Sequence, residues 1–440
     1  MYDLLIQDVL VVDPQTDRAE VLPGRDVLVR GQQIVAVQPT GQVAPHEAGE
    51  VICGAGMVAL PGLINAHAHA PMVLFRGAAE DVPIEEWFND HIWMLEANLT
   101  PDDIYWGALL AAVESIESGV TTIADHYFAM DRVAEAIETS GLRGHLAWAM
   151  FGQDSKAELE QAGAFAGRWH GAADGRIRVW LGPHAPYTCP PAFLHEVAAE
   201  ARRLSLGCHI HVAETAQQVS ASLEQHGVSP VRLLEQLGLM EVPLLCAHAA
   251  HVTQADIDIL AAHDVGVAHC PKTFLKLAAG IAPVTTMLRQ GVAVGLGSDG
   301  AASNNTLDIL EQMRLAAMLQ KHMQNDARVL PIDTALALAT ANGARALGQG
   351  GSLGRLSPGY LADVILLRID SAHMQPLHNP AAALVYAARA GDVDTVIVNG
   401  RVLMQERRLR TLDKATILHE VAIRMERLMQ RGHGRRIQAY

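Results

Sequence analysis

Two histidines one residue apart, His67 and His69, end an apolar run that starts at Met57. Side chains alternate along a strand, so positions i and i+2 face the same way. Two imidazoles converging at a strand tip suit one first-row metal ion. His211, His248 and Asp299 close later apolar segments. His67, His69, His211 and Asp299 together form a three-nitrogen, one-oxygen ligand set that fits a divalent ion, zinc first, with iron or manganese as alternatives. Such an ion keeps a position for water and lowers its pKa to about 7. Glu214 stands three residues past His211, out of step for a ligand but within reach of that water's proton, and His248 is placed to orient the water. A carboxylate that moves protons without binding the metal is the logic of hydrolytic deamination.

These side chains need a scaffold that gathers strand ends. The middle of the chain alternates strand and helix. Eight strands are countable, at 58–64, 120–124, 142–148, 177–182, 208–212, 244–248, 265–269 and 292–297. Between the first two, Thr100-Pro101-Asp102-Asp103 opens a helix with a capping hydroxyl, a proline in the first turn and acids at the positive end of the dipole. Its apolar face is Ile104, Leu109 and Val113, and Gly119 ends it. Eight such units predict an α/β fold, a (β/α)8 barrel with its functional face at the strand C-termini. There His184 follows strand four, His211 and Glu214 strand five, His248 strand six and Asp299 strand eight. Both chain ends are rich in short strands, with a hairpin turn at Arg30-Gly31-Gln32-Gln33, and are expected to meet. The predicted division is a composite β-sandwich from residues 1–58 and 357–412, a metal-dependent catalytic barrel over 59–356, and a C-terminal helix and tail over 413–440. His91, His209, His251, His263 and His269 read as structural or surface residues, Asp363 as a turn residue, and Arg431–Arg436 as a solvated tail.

The 440 residues are half hydrophobic and carry a formal net charge of −15. A large core is expected, and a nucleic-acid partner, which needs a basic face, is not. No apolar run reaches the roughly 18–20 residues of a membrane span. The first residues lack a signal-type pattern. Five cysteines without a C-x-x-C pair read as buried free thiols, and the protein reads as cytoplasmic.

Pro61-Gly62-Leu63-Ile64-Asn65-Ala66-His67-Ala68-His69, His211-Val212-Ala213-Glu214 and Ser298-Asp299-Gly300-Ala301-Ala302-Ser303-Asn304-Asn305 resemble the signatures of the amidohydrolase superfamily. With no lysine after strand four, the resemblance implies one metal ion. Within the superfamily, the segment from Pro71 to Asp81, followed by Trp87 and Glu96, is similar to the 5′-methylthioadenosine/S-adenosylhomocysteine deaminases of the ATZ/TRZ-like group. The resemblance implies that Trp87 and Glu96 contact the ribose hydroxyls, that His184 contacts the substrate, and that Asp299 shares in proton transfer at the purine. It also implies arginines after strand three to hold the carboxylate of S-adenosylhomocysteine. Here Trp148 stands where an arginine is expected, and Lys156 is the sole fixed cation from Gly144 to Gly167. An apolar rim of Trp148, Met150 and Phe151 suits a thiomethyl group better than a zwitterion. The expected reaction is hydrolytic deamination of 5′-methylthioadenosine or adenosine, a small-molecule nucleoside, with release of ammonia. Deamination or dechlorination of s-triazines, guanine or pterins on the same site is the alternative, and a non-catalytic binding barrel a remote one. A homo-oligomer is compatible with this reading.

Overall fold

The computed structural model describes residues 1–430; the tail Arg431–Arg436 lies outside them. Eight parallel strands, Leu63–Ala68, Val120–Tyr127, Arg143–Met150, Ile177–Pro183, Cys208–Val212, Leu244–His248, Gly266–His269 and Ala293–Leu296, pair in sequence order. A parallel bridge between Ala68 and Asp299 brings the first strand back to the last, and the barrel is closed. Helices between strands bury their apolar faces on it. Pro101–Glu117 starts at the expected place, with Thr100 and Asp103 in a reciprocal capping box.

The two chain ends form one nine-stranded sheet. Val364–Arg368 from the C-terminal part pairs with Met57–Pro61, which pairs with Tyr2–Pro14. One face of this sheet encloses its own core of Leu4, Ile6, Val11, Val29, Val364 and Leu366. Alternate residues of the same strands, among them Val12, Leu60 and Ile365, pack into the main core.

The apolar run 58–64 is two strands rather than one. Met57–Pro61 stays in the terminal sheet, past the expected boundary at residue 58, and Leu63–Ala68 enters the barrel. Gly62 is the break. Its N–H donates to the Asp363 carbonyl at 2.9 Å, and a Cβ there would collide with the Thr121 side chain, so only glycine lets the chain change sheets at this point.

Asp363 is more than a turn residue. Its carboxylate accepts two bonds from Arg143, at 3.0 and 2.9 Å, and one from the Asn399 N–H at 2.8 Å, all with little solvent access. The pair ties barrel strand three to the terminal sheet. Removing one member of a buried pair strands the other charge, so Asp363→Ala is expected to lower stability by about 3–5 kcal/mol. Urea unfolding followed by circular dichroism measures it; a loss under about 1 kcal/mol would assign the pair no structural weight.

Of the five cysteines, Cys189, Cys208, Cys246 and Cys270 are buried free thiols, whereas Cys53 is exposed, contrary to expectation. No helix among the described residues is long and apolar enough to cross a membrane.

Candidate active site

Barrel closure and the candidate metal ligands occupy the same place. The Asp299 N–H donates to the His67 carbonyl at 3.0 Å. Just beneath, the Asn65 amide donates to Ser298 Oγ at 2.7 Å and accepts from the Ser298 N–H at 2.9 Å. Strand one carries a bulge here: its pairing with strand two steps from Asn65–Ile123 to Ala68–Asp125, one extra residue on strand one. Ile64 and Ala66 belong to the apolar cluster inside the barrel with Ala124, Leu245 and Ala268. The extra residue reverses the alternation, so His67 and His69 turn inward as well.

The donor atoms gather closely. Asp299 Oδ1 lies 3.6 Å from His67 Nε2 and 3.3 Å from His69 Nε2, and His69 Nε2 lies 3.3 Å from His211 Nε2. His67, His69 and His211, and likewise His67, His248 and Asp299, bring ligand atoms within 4.8 Å of one another. The other ring nitrogens are engaged. His69 Nδ1 meets the His126 carbonyl at 2.6 Å and His211 Nδ1 the His184 carbonyl at 2.8 Å. A carbonyl only accepts, so each Nδ1 carries the proton and each Nε2 presents a lone pair. His67 Nε2 is buried without a hydrogen-bond partner. Burial pushes the His67 imidazole down to about 3 and lowers His69 and His211 too, which keeps all three neutral. Burial raises Asp299, but the facing His67, His248 and His69 outweigh it and hold the carboxyl below the usual range. Neutral imidazoles with free Nε2 atoms around an ionised carboxylate are the donor set a divalent cation takes.

His209, assigned no role from the sequence, supports this set. Its Nε2 lies 2.9 Å from His67 Nδ1, with both rings buried. If His67 offers Nε2 to a metal, its Nδ1–H must donate to His209. The signal was in the sequence: His209-Ile210-His211 repeats the spacing of His67-Ala68-His69. His209→Leu is expected to weaken metal affinity about 10- to 100-fold in chelator competition, the usual effect of losing such support. His209→Gln, which keeps an acceptor, is expected to retain most of it. Equal affinities in the two variants would remove His209 from this role.

Glu214 lies just beyond strand five, buried. Its Oε2 accepts from Tyr187 O–H at 3.2 Å and from the Gln218 amide at 3.4 Å. Its Oε1 lies 3.7 Å from His248 Nε2. Burial raises its proton affinity, and His248 opposes the shift. A carboxyl so balanced can take and return a proton.

His69, His211, Glu214, His248 and Asp299 border a cavity that also takes in Trp87, Glu96, Tyr127 and His184. Trp87 and Glu96 come from one segment after strand one, an α-turn at Ile84–Glu86, a π-helix at Trp87–Ile92 and a turn at Trp93–Glu96. Trp87 Nε1 is buried without a partner. Burial lifts Glu96 to about 7, against the pull of a Tyr127 hydrogen bond.

Trp148 does not reach this cavity. Its ring packs on Phe165, 5.4 Å away on the helix Ser155–Trp169. The reason is alternation along strand three: Leu146 and Met150 turn outward into the same core as Trp148's neighbour, and Ala149 faces the cavity. Met150 therefore leaves the expected rim as well. The apolar wall is built instead by Phe151, stacked on His184 at 4.8 Å and on Phe128 at 6.0 Å. Among the described residues, no lysine or arginine lines the cavity.

The chain matches the model of the amidohydrolase family over residues 58–403. It is 51% identical to a 5-methylthioadenosine/S-adenosylhomocysteine deaminase of Desulforudis audaxviator, over 92% of this chain and 95% of the relative. It is 46% identical to a protein of the same name from Pelotomaculum thermopropionicum, over 98% of this chain and 100% of the relative. Among solved structures it resembles an adenosine deaminase from Xanthomonas campestris with bound zinc, with a TM-score of 0.93, 34% identity and coverage of 98% and 99% of the two chains. It also resembles an atrazine chlorohydrolase from Arthrobacter aurescens complexed with zinc, with a TM-score of 0.88, 27% identity and coverage of 96% and 100%.

Proposed function

Because the chain belongs to the amidohydrolase family, we propose that it is a hydrolytic deaminase of adenine nucleosides, converting 5′-methylthioadenosine and adenosine to the inosine analogue and ammonia with one zinc ion. The observation that carries the reading is that one cavity joins the imidazole–carboxylate cluster to a buried carboxyl, Glu96, and an unpartnered indole N–H on Trp87. A carboxylate accepting from a diol and an indole donor beside it are apt for a ribose. The likeness to deaminases named for such substrates supports it.

His67, His69, His211 and Asp299 would hold the ion, which when bound supplies a water of lowered pKa and a Lewis acid. Glu214 would serve as the proton carrier, accepting a proton from the attacking water and handing it to the ring nitrogen of the purine. His248, beside Glu214, orients the attacking oxygen. Asp299 assists departure of ammonia from C6. His184 faces the base, and its stack with Phe151 and Phe128 gives an apolar berth for a 5′-thioether. With no lysine or arginine in the wall among the described residues, the α-carboxylate of S-adenosylhomocysteine lacks a partner there, and this substrate is expected to be the poorest of the three.

The test is ammonia release from zinc-replete protein on a panel of adenosine, 5′-methylthioadenosine, S-adenosylhomocysteine, guanine and a triazine. No release from either of the first two overturns the reading. The likeness to an atrazine chlorohydrolase supports a triazine substrate as the second reading. It gains if Trp87→Ala and Glu96→Ala leave catalytic efficiency unchanged, since a triazine brings no ribose. Metal analysis of purified protein separates both from a metal-free binding barrel.

A further inference from the structure

We propose that Tyr127 is a positioning residue that fits Glu96 to accept both hydroxyls of a ribose diol, so that the site prefers ribosides to 2′-deoxyribosides; the inference rests on the nucleoside reading above. Tyr127 ends barrel strand two, whereas Glu96 ends the segment that follows strand one. The two meet across the cavity, where Tyr127 O–H donates to Glu96 Oε1 at 2.5 Å. Both are buried, at 2% and 7% exposure, and no lysine or arginine lines this cavity among the described residues. A buried carboxyl without a cation depends on hydrogen bonds to keep a charge and an orientation.

Geometry assigns the roles. A phenol has one proton to give, and Tyr127 gives it to Oε1, so the residue contacts the carboxyl and acts on substrate through it. The bond fixes the plane of a side chain whose last torsion is otherwise broad. It leaves Oε2 and one lone pair of Oε1 unused by Tyr127. Two acceptor positions on one carboxylate match two vicinal hydroxyl donors, and a 2′-deoxyribose brings one. Trp87, whose Nε1 is buried and unpartnered, has a donor to offer a sugar oxygen but cannot tell the two sugars apart by accepting. Discrimination through the hydroxyl protons falls to Glu96, which the rigid strand end at Tyr127 holds in place.

The test is steady-state kinetics on adenosine and 2′-deoxyadenosine for the wild type, Tyr127→Phe, Glu96→Gln and the double variant, all zinc-replete. The wild type is expected to prefer adenosine by tenfold or more in kcat/KM. Tyr127→Phe keeps the ring and its packing. It is expected to raise KM for adenosine about tenfold, leave kcat within about twofold and leave KM for 2′-deoxyadenosine within about threefold, so the preference collapses. Glu96→Gln is expected to collapse it too, with no further change in the double variant, because both act through one contact. An equal rise in KM for both substrates, or a preference unmoved in either single variant, overturns the proposal while leaving the deaminase reading intact. A wild type that turns over neither nucleoside overturns the nucleoside reading, and this inference with it. Glu96→Gln reads the same contact from the other side should Tyr127→Phe fold poorly.

Discussion

Glu214→Gln is expected to lower kcat by about 10²- to 10⁴-fold and to leave metal content unchanged. The buried carboxyl of Glu214 is oriented by Tyr187 and Gln218 through Oε2, which leaves Oε1 directed toward His248. Glutamine keeps the volume and can satisfy the same neighbours, but it has no proton affinity to contribute. The loss should therefore fall on kcat, with KM within a few-fold, because a proton carrier acts in the transition state rather than in binding. Glu214→Ala should likewise retain metal and lose most turnover. Metal content measured beside single-turnover rates decides between roles. If either variant loses the ion in proportion to activity, Glu214 belongs to the coordination shell and proton transfer must be assigned elsewhere.

What the sequence made legible, and what it did not, follows from how local each signal is. The eight strands, the capped helix at Thr100 and the polar residues at strand ends are signals of period and neighbourhood, readable over a few residues. Placing His67, His69, His184, His211, His248 and Asp299 on one rim needed only the rule that barrel strands end on a common face. Signals that depend on pairing between strands were not readable. The bulge between Asn65 and Ala68 exists only relative to strand two, and the split at Gly62 only relative to Thr121 and Asp363. The misreading of Trp148 has the same origin. Its nearness in sequence to Ala149 and Phe151 suggested one rim, whereas alternation sends it to the opposite face of the strand. His209 and Asp363 were undervalued because a residue that acts on another residue far along the chain, His67 or Arg143, leaves no mark at its own position.

The same crowding of histidines that builds the site should make the protein acid-labile, with stability falling steeply from pH 7 to pH 5. Burial lowers the proton affinity of eight imidazoles, those of His67, His69, His126, His145, His184, His209, His211 and His269. Each is neutral when folded yet protonates near 6.5 once unfolded. The stability they contribute is therefore complete above pH 6.5 and is lost as the pH falls below it. Four carboxyls raised by burial, Glu96, Asp125, Glu214 and Asp308, work in the opposite sense, holding protons in the folded state that the unfolded chain has released. The imidazoles outnumber the carboxyls, so the unfolded chain binds more protons than the folded one as the pH falls below 6.5, and stability falls with it. A bound cation adds to the effect at neutral pH, since it requires the same neutral imidazoles, and saturating zinc should raise the urea midpoint at pH 7.5 more than at pH 5.5. Urea unfolding across pH 5–8, with zinc and with chelator, measures both. A flat profile below pH 6.5 would mean that the barrel admits enough water to protonate these rings while folded, and would remove the basis for treating His67, His69 and His211 as neutral ligands held ready by burial.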